Sequence, residues 1–137
     1  MPTERVLADF EGAWAITREI APQTGAPAQF QGQAVWARDG DGMAYRETGT
    51  LSMPGAAPML AERRYRWCAD LSVYFEDGRF FHTVPPAGGQ TRHWCDPDSY
   101  VADYDFGPWP AFVVTWTVQG PRKSYVMTSR FTRQAGP

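Results

Sequence analysis

The chain has 137 residues and a mass of 15.4 kDa, a size that predicts one domain, residues 1–137, built around a single core. Charged residues make up 20% of it, the net charge is -2, and acids and bases are interspersed, which argues against the clustered basic face of a nucleic-acid-binding protein. No apolar run approaches the roughly 20 residues that cross a bilayer, and charges stand where a secretion signal would be apolar, so we expect a cytoplasmic protein with no membrane partner.

The first predicted element is a short N-terminal helix. Val6, Leu7 and Phe10 share one helical face, and Thr3 precedes them as the N-cap. After it, prolines and glycines recur as punctuation between segments of strand length. Within these segments large apolar side chains alternate with polar ones, which is the period of a strand with one buried face. The predicted strands cover residues 14–20, 30–36, 43–51, 59–67, 71–75, 80–84, 91–95, 100–106, 112–118 and 125–131.

These nine or ten sequential strands with short connections predict an all-β fold. The Asp77-Gly78 dipeptide between the fifth and sixth strands is a strong signal for a tight hairpin. Asp96-Pro97, between the seventh and eighth, indicates a bend or bulge. Because a long meander removes its edges by closing on itself, we predict an antiparallel up-and-down β-barrel of about 8–10 strands.

The predicted interior of this barrel is not purely apolar. Buried charges are costly unless they are paired, and Glu47 and Arg63, on consecutive strands, are predicted to pair. Two interpretations stay open. In the structural one, the two residues form a salt bridge in the core, or a register slip leaves both at the rim. In the functional one, Arg63 and the tyrosines line a cavity and bind a carboxylate, phosphate or other acceptor-rich ligand. The polar residues on the inward parity are Arg18, Tyr45, Glu47, Arg63, Tyr65, His82, Tyr104, Tyr125 and Ser129.

The only two histidines flank one connection, residues 85–90. Symmetric pairing about its centre places His82 opposite His93, with Cβ atoms ~5 Å apart on one face, and puts Cys95 on that face as well. The simplest interpretation is a pair of hydrogen-bonded core histidines. A partial zinc or transition-metal set of His82, His93 and Cys95, or haem held by one histidine, is the alternative. Cys68 and Cys95 form no C-x-x-C pair, so neither a disulfide scaffold nor a zinc ribbon is predicted.

The segment Phe10-Glu11-Gly12-Ala13-Trp14 resembles the opening of lipocalin and fatty-acid-binding (calycin) barrels, which begin with Gly-x-Trp behind a short helix. The resemblance implies that Trp14 closes the barrel floor and that Arg130 or Arg122 packs across it. The wider pattern is similar to an uncharacterised bacterial family of lipocalin-like barrels, a domain of unknown function, so it implies a fold and no activity. Its motifs are Phe10-x-Gly-x-Trp14, Glu62-Arg63-x-Tyr65-x-Trp67, Phe75-x-Asp-Gly-Arg-x-Phe81-His82, His93-x-Cys95-x-x-Asp98-x-Tyr100 and Trp116-x-Val-x-Gly120-Pro-Arg-Lys-x-Tyr125.

The function that these features favour is binding of a small, partly apolar molecule inside the barrel. No nucleophile elbow, metalloprotease helix motif, phosphate-binding loop or dinucleotide fingerprint is present, and the sequence assigns no catalytic residue, metal-ligand set or cofactor. The alternatives are an enzyme with His82 or His93 as general base, a haem or metal barrel, and a structural subunit that self-associates through Tyr74 or Trp109. The candidate ligand-binding residues are Tyr45, Glu47, Arg63, Tyr65, His82, His93, Tyr104 and Tyr125.

Overall fold

A computed structural model describes residues 3–134. It contains one four-residue 3₁₀ turn, Leu7–Phe10, and ten strands. The strands are β1 Gly12–Pro22, β2 Ala28–Asp39, β3 Gly42–Ser52, β4 Met59–Trp67, β5 Ser72–Phe75, β6 Phe80–Thr83, β7 Gly89–Cys95, β8 Asp98–Asp105, β9 Phe112–Gln119 and β10 Ser124–Arg133.

All ten strands belong to one antiparallel sheet that curls into a nearly closed barrel. The order around the sheet is β6-β5-β4-β3-β2-β1-β10-β9-β8-β7. Because β1 pairs with both β2 and β10, the first and last strands of the chain join in mid-sheet. The two ends of the sheet, β6 and β7, face each other without a hydrogen-bonded ladder. The predicted all-β, lipocalin-like up-and-down barrel is therefore confirmed, with one open seam between β6 and β7.

The predicted N-terminal helix is reduced to the single 3₁₀ turn. Val6 rather than Thr3 precedes it, and the Val6 amide donates to the Asp9 carboxylate at 2.9 Å. Strand β1 begins only two residues after the turn ends, at Gly12, whose φ of 120° suits glycine. The weak helical period therefore has no room for a second turn. Among residues 3–134, no helix has the length and hydropathy that a membrane span requires.

The barrel floor forms around Trp14 as the sequence pattern predicts. Trp14 is fully buried, and its indole Nε1 donates to the Phe10 carbonyl oxygen at 2.9 Å. The basic side chain across it is Arg133, whose guanidinium carbon lies 4.2 Å from the Trp14 ring centre. The prediction of Arg130 or Arg122 is wrong, because Arg133 is the residue that β10 pairs with Trp14, whereas Arg130 points to solvent.

Trp109 also belongs to this floor. Its ring centre lies 5.4 Å from that of Phe10 and 5.7 Å from that of Trp14, and Arg5 covers it at 4.4 Å. Trp109 is half-buried in this packing, and the hypothesis of self-association through it stays a prediction. Tyr74, the other residue named for it, packs its ring on Phe80 with 5.5 Å between centres.

The alternation of inward and outward side chains holds along most strands, but it shifts in β6. Val73 pairs with His82 whereas Tyr74 pairs with Phe80, so Phe81 is the extra residue of a β-bulge. An unbroken alternation along the predicted strand 80–84 places Phe80 inward together with His82, but Phe80 is 51% exposed, so this part of the prediction is wrong. Phe81 takes that place, with its ring stacked on Trp116 at 5.1 Å.

Candidate functional site

The barrel interior contains a cavity of about 280 Å³. It lies above the aromatic floor and opens toward the opposite end of the barrel, which we call the mouth. Its walls are mainly aromatic and aliphatic, with a few polar side chains among them, the usual composition of a small-molecule pocket. Each of the eight sequence-predicted residues lines this one cavity: Tyr45, Glu47, Arg63, Tyr65, His82, His93, Tyr104 and Tyr125.

One wall holds a buried ion pair that differs from the predicted one. Glu47 and Arg63 are register partners on β3 and β4, but the Glu47 carboxylate binds Arg18 of β1. Arg18 donates from Nη1 to Oε1 and from Nη2 to Oε2, both at 2.8 Å, and from Nε to Ser129 Oγ at 2.7 Å. The predicted Glu47–Arg63 pair is therefore wrong, because Arg63 is exposed at the edge of the cavity while Arg18 is buried beside Glu47.

Gly32 makes the reach of Arg18 across β2 possible. It stands between Phe30 and Ala34 on the inward face of β2, so no side chain separates Arg18 from Glu47. A Cβ atom at Gly32 would also come within 2.0 Å of the Thr48 carbonyl oxygen on β3. Glycine at this position therefore allows both the close approach of two strands and the ion pair above them.

The groups in this wall are held in fixed protonation states. Burial alone would raise the pKa of Glu47, but the hydrogen bonds and charge of Arg18 outweigh it and hold that pKa below the ordinary value. Burial, followed by the nearby Glu47 charge, raises the pKa of Tyr45 well above its ordinary value. The Tyr45 hydroxyl donates a hydrogen bond to the Glu47 carboxylate. The wall is therefore an ionised pair with no net charge.

His82 and Tyr104 form a second buried pair. His82 Nε2 and the Tyr104 hydroxyl are 2.8 Å apart, and His82 is only 3% exposed. Burial, and then the charge of His93, lower the pKa of His82 to about 3, so its ring is neutral at pH 7. Burial raises the pKa of Tyr104. Among residues 3–134, no group hydrogen-bonds to the buried Nδ1 of His82.

His93 is not the cross-strand partner of His82, so that prediction is wrong. The two residues lie on β6 and β7, the edge strands that do not pair with each other. The Phe81 ring contacts both imidazoles, with its centre 4.3 Å from that of His82 and 5.1 Å from that of His93. The connection is not symmetric, because the Val84 amide bonds back to Leu71 instead of continuing a hairpin. Within the described chain, no three His, Cys, Asp or Glu side chains form a metal-ligand cluster. The hypothetical His82, His93 and Cys95 set is thus not assembled.

Near the mouth, Lys123 organises a small polar cluster. Its Nζ donates to the Tyr100 hydroxyl at 3.2 Å and lies 3.5 Å from Asp98 Oδ2. Tyr100 lines the cavity but was not among the candidate residues. The period-2 alternation of Tyr100 with Ala102 and Tyr104 along β8 is the sequence signal that places it in the cavity. In the same way, the inward parity of Arg18 on β1 is the signal for its part in the buried ion pair.

A family model described as a family of unknown function, DUF6314, matches residues 10–133. The chain belongs to the DUF6314 family. No curated protein matches the sequence.

Among solved structures, the DUF6314 barrel is similar to the S-type phycobiliprotein lyase CPES from Guillardia theta. The TM-score is 0.65, and the similarity covers 96% of this chain and 92% of the lyase at 8% sequence identity. At so low an identity the likeness shows a shared lipocalin-like fold. It agrees with the resemblance carried by the Gly12 and Trp14 motif.

Proposed function

We propose that this DUF6314 protein binds a small, partly apolar molecule inside the barrel. The observation that carries the proposal is the cavity of about 280 Å³ itself, and its mainly apolar wall also contains His82, whose buried Nδ1 has no partner among residues 3–134. An unpaired buried polar group costs about 1–3 kcal/mol, so native proteins satisfy such groups with a protein atom, an ordered water or a ligand. The Trp36 Nε1 atom, in another cavity-lining residue, is also buried with no partner among residues 3–134.

The chemistry of the cavity favours binding over general-base catalysis. An effective general base has a pKa near the working pH, whereas burial lowers the pKa of His82 to about 3. Glu47 is ionised but already accepts hydrogen bonds from Arg18 and Tyr45. Both groups are better suited to orienting a bound molecule than to abstracting a proton from it.

The test compares a substitution that adds a large side chain inside the cavity with the same substitution on the outer face of the barrel. Val114 is buried and lines the cavity, whereas Val113, its neighbour on β9, has the opposite parity. We expect N-phenyl-1-naphthylamine, a neutral probe that fluoresces in apolar surroundings, to bind the unmodified protein and Val113→Phe. Val114→Phe is expected to weaken that binding at least tenfold, with the smaller Val114→Leu intermediate.

Near-ultraviolet circular dichroism checks that each variant is folded. If Val114→Phe does not fold, the comparison is made with Val114→Leu. Equal binding by the unmodified protein and a folded Val114 variant would contradict a site in the cavity. Absence of probe binding by the unmodified protein would count against the proposal itself.

A further inference from the structure

The charges around the cavity do not cancel. Arg18 and Glu47 neutralise each other through two hydrogen bonds, and the His82 ring is neutral at pH 7. Arg63 is the other arginine of the lining, and because it is exposed it lies where the cavity meets solvent. The cavity lining therefore keeps one positive charge that no lining carboxylate balances, and two outside carboxylates, Glu76 and Asp77, line the adjoining surface pocket with Arg63 without an ion pair to it.

Arg63 differs in this respect from the other arginines of the β3–β4 hairpin. Arg46 and Arg64 both bind Glu62, and Arg66 lies 3.0 Å from Asp39 Oδ2 and 3.2 Å from Asp41 Oδ1. In the described part of the chain, no carboxylate lies within 4.0 Å of the Arg63 guanidinium. The hairpin thus satisfies its outward arginines with carboxylates and leaves the cavity-facing one available.

The surroundings of Arg63 extend this basic end of the cavity. The side chains of Tyr65 and Tyr125 line the cavity with it, and neither hydroxyl has a hydrogen-bond partner among residues 3–134. The Arg63 charge acts on two other residues of the lining. Burial raises the pKa of Tyr125, and the Arg63 charge opposes that rise. The Arg63 charge also helps to lower the pKa of Glu47. One cation and two hydroxyl donors suit a single carboxylate or similar anionic group.

We propose that the ligand is a monoanion with a flat aromatic body, held with its anionic group on Arg63 at the mouth. The inference rests on the proposed function and specifies the ligand class. The body of the ligand would lie deeper, where the stacked rings of Phe81 and Trp116 form part of the wall. Aromatic walls of this kind favour an offset or edge-on aromatic partner.

The experiment compares two ligands of nearly the same size, 2-naphthoate and 2-naphthamide, by isothermal titration calorimetry at pH 7. A charge-assisted hydrogen bond is stronger than a neutral one, so the unmodified protein is expected to bind the anion about tenfold more tightly. Arg63→Gln is expected to bring the ratio close to one. Arg64→Gln, which changes the net charge equally on the outward face, is expected to keep it.

The outcomes separate the ligand class from the proposed function. If the amide binds as tightly as the anion, or if Arg63→Gln keeps the preference, the ligand class is wrong while binding in the cavity stands. If Arg64→Gln loses the preference as fully as Arg63→Gln, general charge attraction rather than a contact with Arg63 explains it, which also overturns the inference. If neither compound binds the unmodified protein although N-phenyl-1-naphthylamine does, the ligand class is wrong; if none of the three binds, the proposed function fails with it.

Discussion

Arg18 and Glu47 lie on strands separated by β2, yet they meet inside the barrel through two parallel hydrogen bonds of 2.8 Å each. Both side chains are almost completely buried. Such a pair is costly to desolvate, and breaking it is costlier still, because the remaining charge is left buried without a partner.

Removal of one partner is expected to destabilise the fold strongly. Arg18→Met should lower the free energy of unfolding by about 3–5 kcal/mol, measured by urea denaturation at pH 7. The control is the exposed pair of Arg38 and Glu11, which are 2.9 Å apart. Arg38→Met should cost less than about 1 kcal/mol. Equal losses from the two substitutions would contradict the assigned role of the buried pair.

The stability of the protein is expected to fall in mild acid because of His82. Burial lowers the pKa of its folded form to about 3, below the value of about 6.5 in an unfolded chain. Below pH 6.5 the unfolded state therefore binds a proton that the folded state does not. The contribution of His82 to stability is complete above pH 6.5 and is lost toward pH 3, with a slope approaching 1.4 kcal/mol per pH unit.

The measurement is urea denaturation at several pH values from 7.5 to 5, where this contribution amounts to roughly 2 kcal/mol. His82→Gln removes the titrating group and should flatten the dependence, even if it lowers stability overall. An unchanged slope in this variant would show that His82 is not the group responsible. Glu47 acts in a lower range: because its folded pKa is depressed, its contribution is present above the unfolded pKa and is lost only as the pH falls through the folded one.

The buried residues of the barrel differ in how far their positions and their contacts can be predicted from the sequence. The inward placement of Trp14, Arg18 and Glu47 follows from period-2 alternation, a local property that each strand displays on its own. The partner of Glu47 does not follow from this alternation. It depends on the order of the strands, which places β1 and β3 on either side of β2, and on the absence of a side chain at Gly32. Sequence patterns thus identified the cavity residues but not the contacts among them.

The two histidines fail as a predicted pair for a related reason. Their placement assumed a symmetric hairpin, but a bulge adds Phe81 to β6 and the chain then returns to Leu71. Neither event leaves a strong local signal, because bulges and open seams are set by closure of the whole sheet. In the same way, Arg133 and not Arg130 covers Trp14, since the register of β1 with β10 decides it.

Gly32 is expected to tolerate no side chain. In Gly32→Ala the new Cβ would lie 2.0 Å from the Thr48 carbonyl oxygen, so two strands would have to separate. We expect a loss of about 1–3 kcal/mol or more, measured by thermal denaturation. Gln31→Ala, on the outward face of the same strand, should stay within about 0.5 kcal/mol. A stability of Gly32→Ala equal to that of this control would contradict the close approach of β2 and β3.

Arg133 is expected to stabilise the floor without affecting the cavity. Its guanidinium lies over Trp14 and donates to the Glu11 carbonyl oxygen at 2.7 Å. Arg133→Met should therefore cost about 1–2 kcal/mol, whereas Arg130→Met should be nearly neutral. Calorimetric unfolding measures both, and N-phenyl-1-naphthylamine binding should be the same in the two variants. A larger loss from Arg130→Met would show that the wrong arginine has been assigned to the floor.

A crystal structure of the protein with 2-naphthoate tests the proposed site directly. We expect electron density for the naphthalene ring inside the barrel beside Phe81, with the carboxylate within hydrogen-bonding distance of Arg63. Density for the compound only on the outer surface, with the cavity holding water alone, would contradict the proposed site.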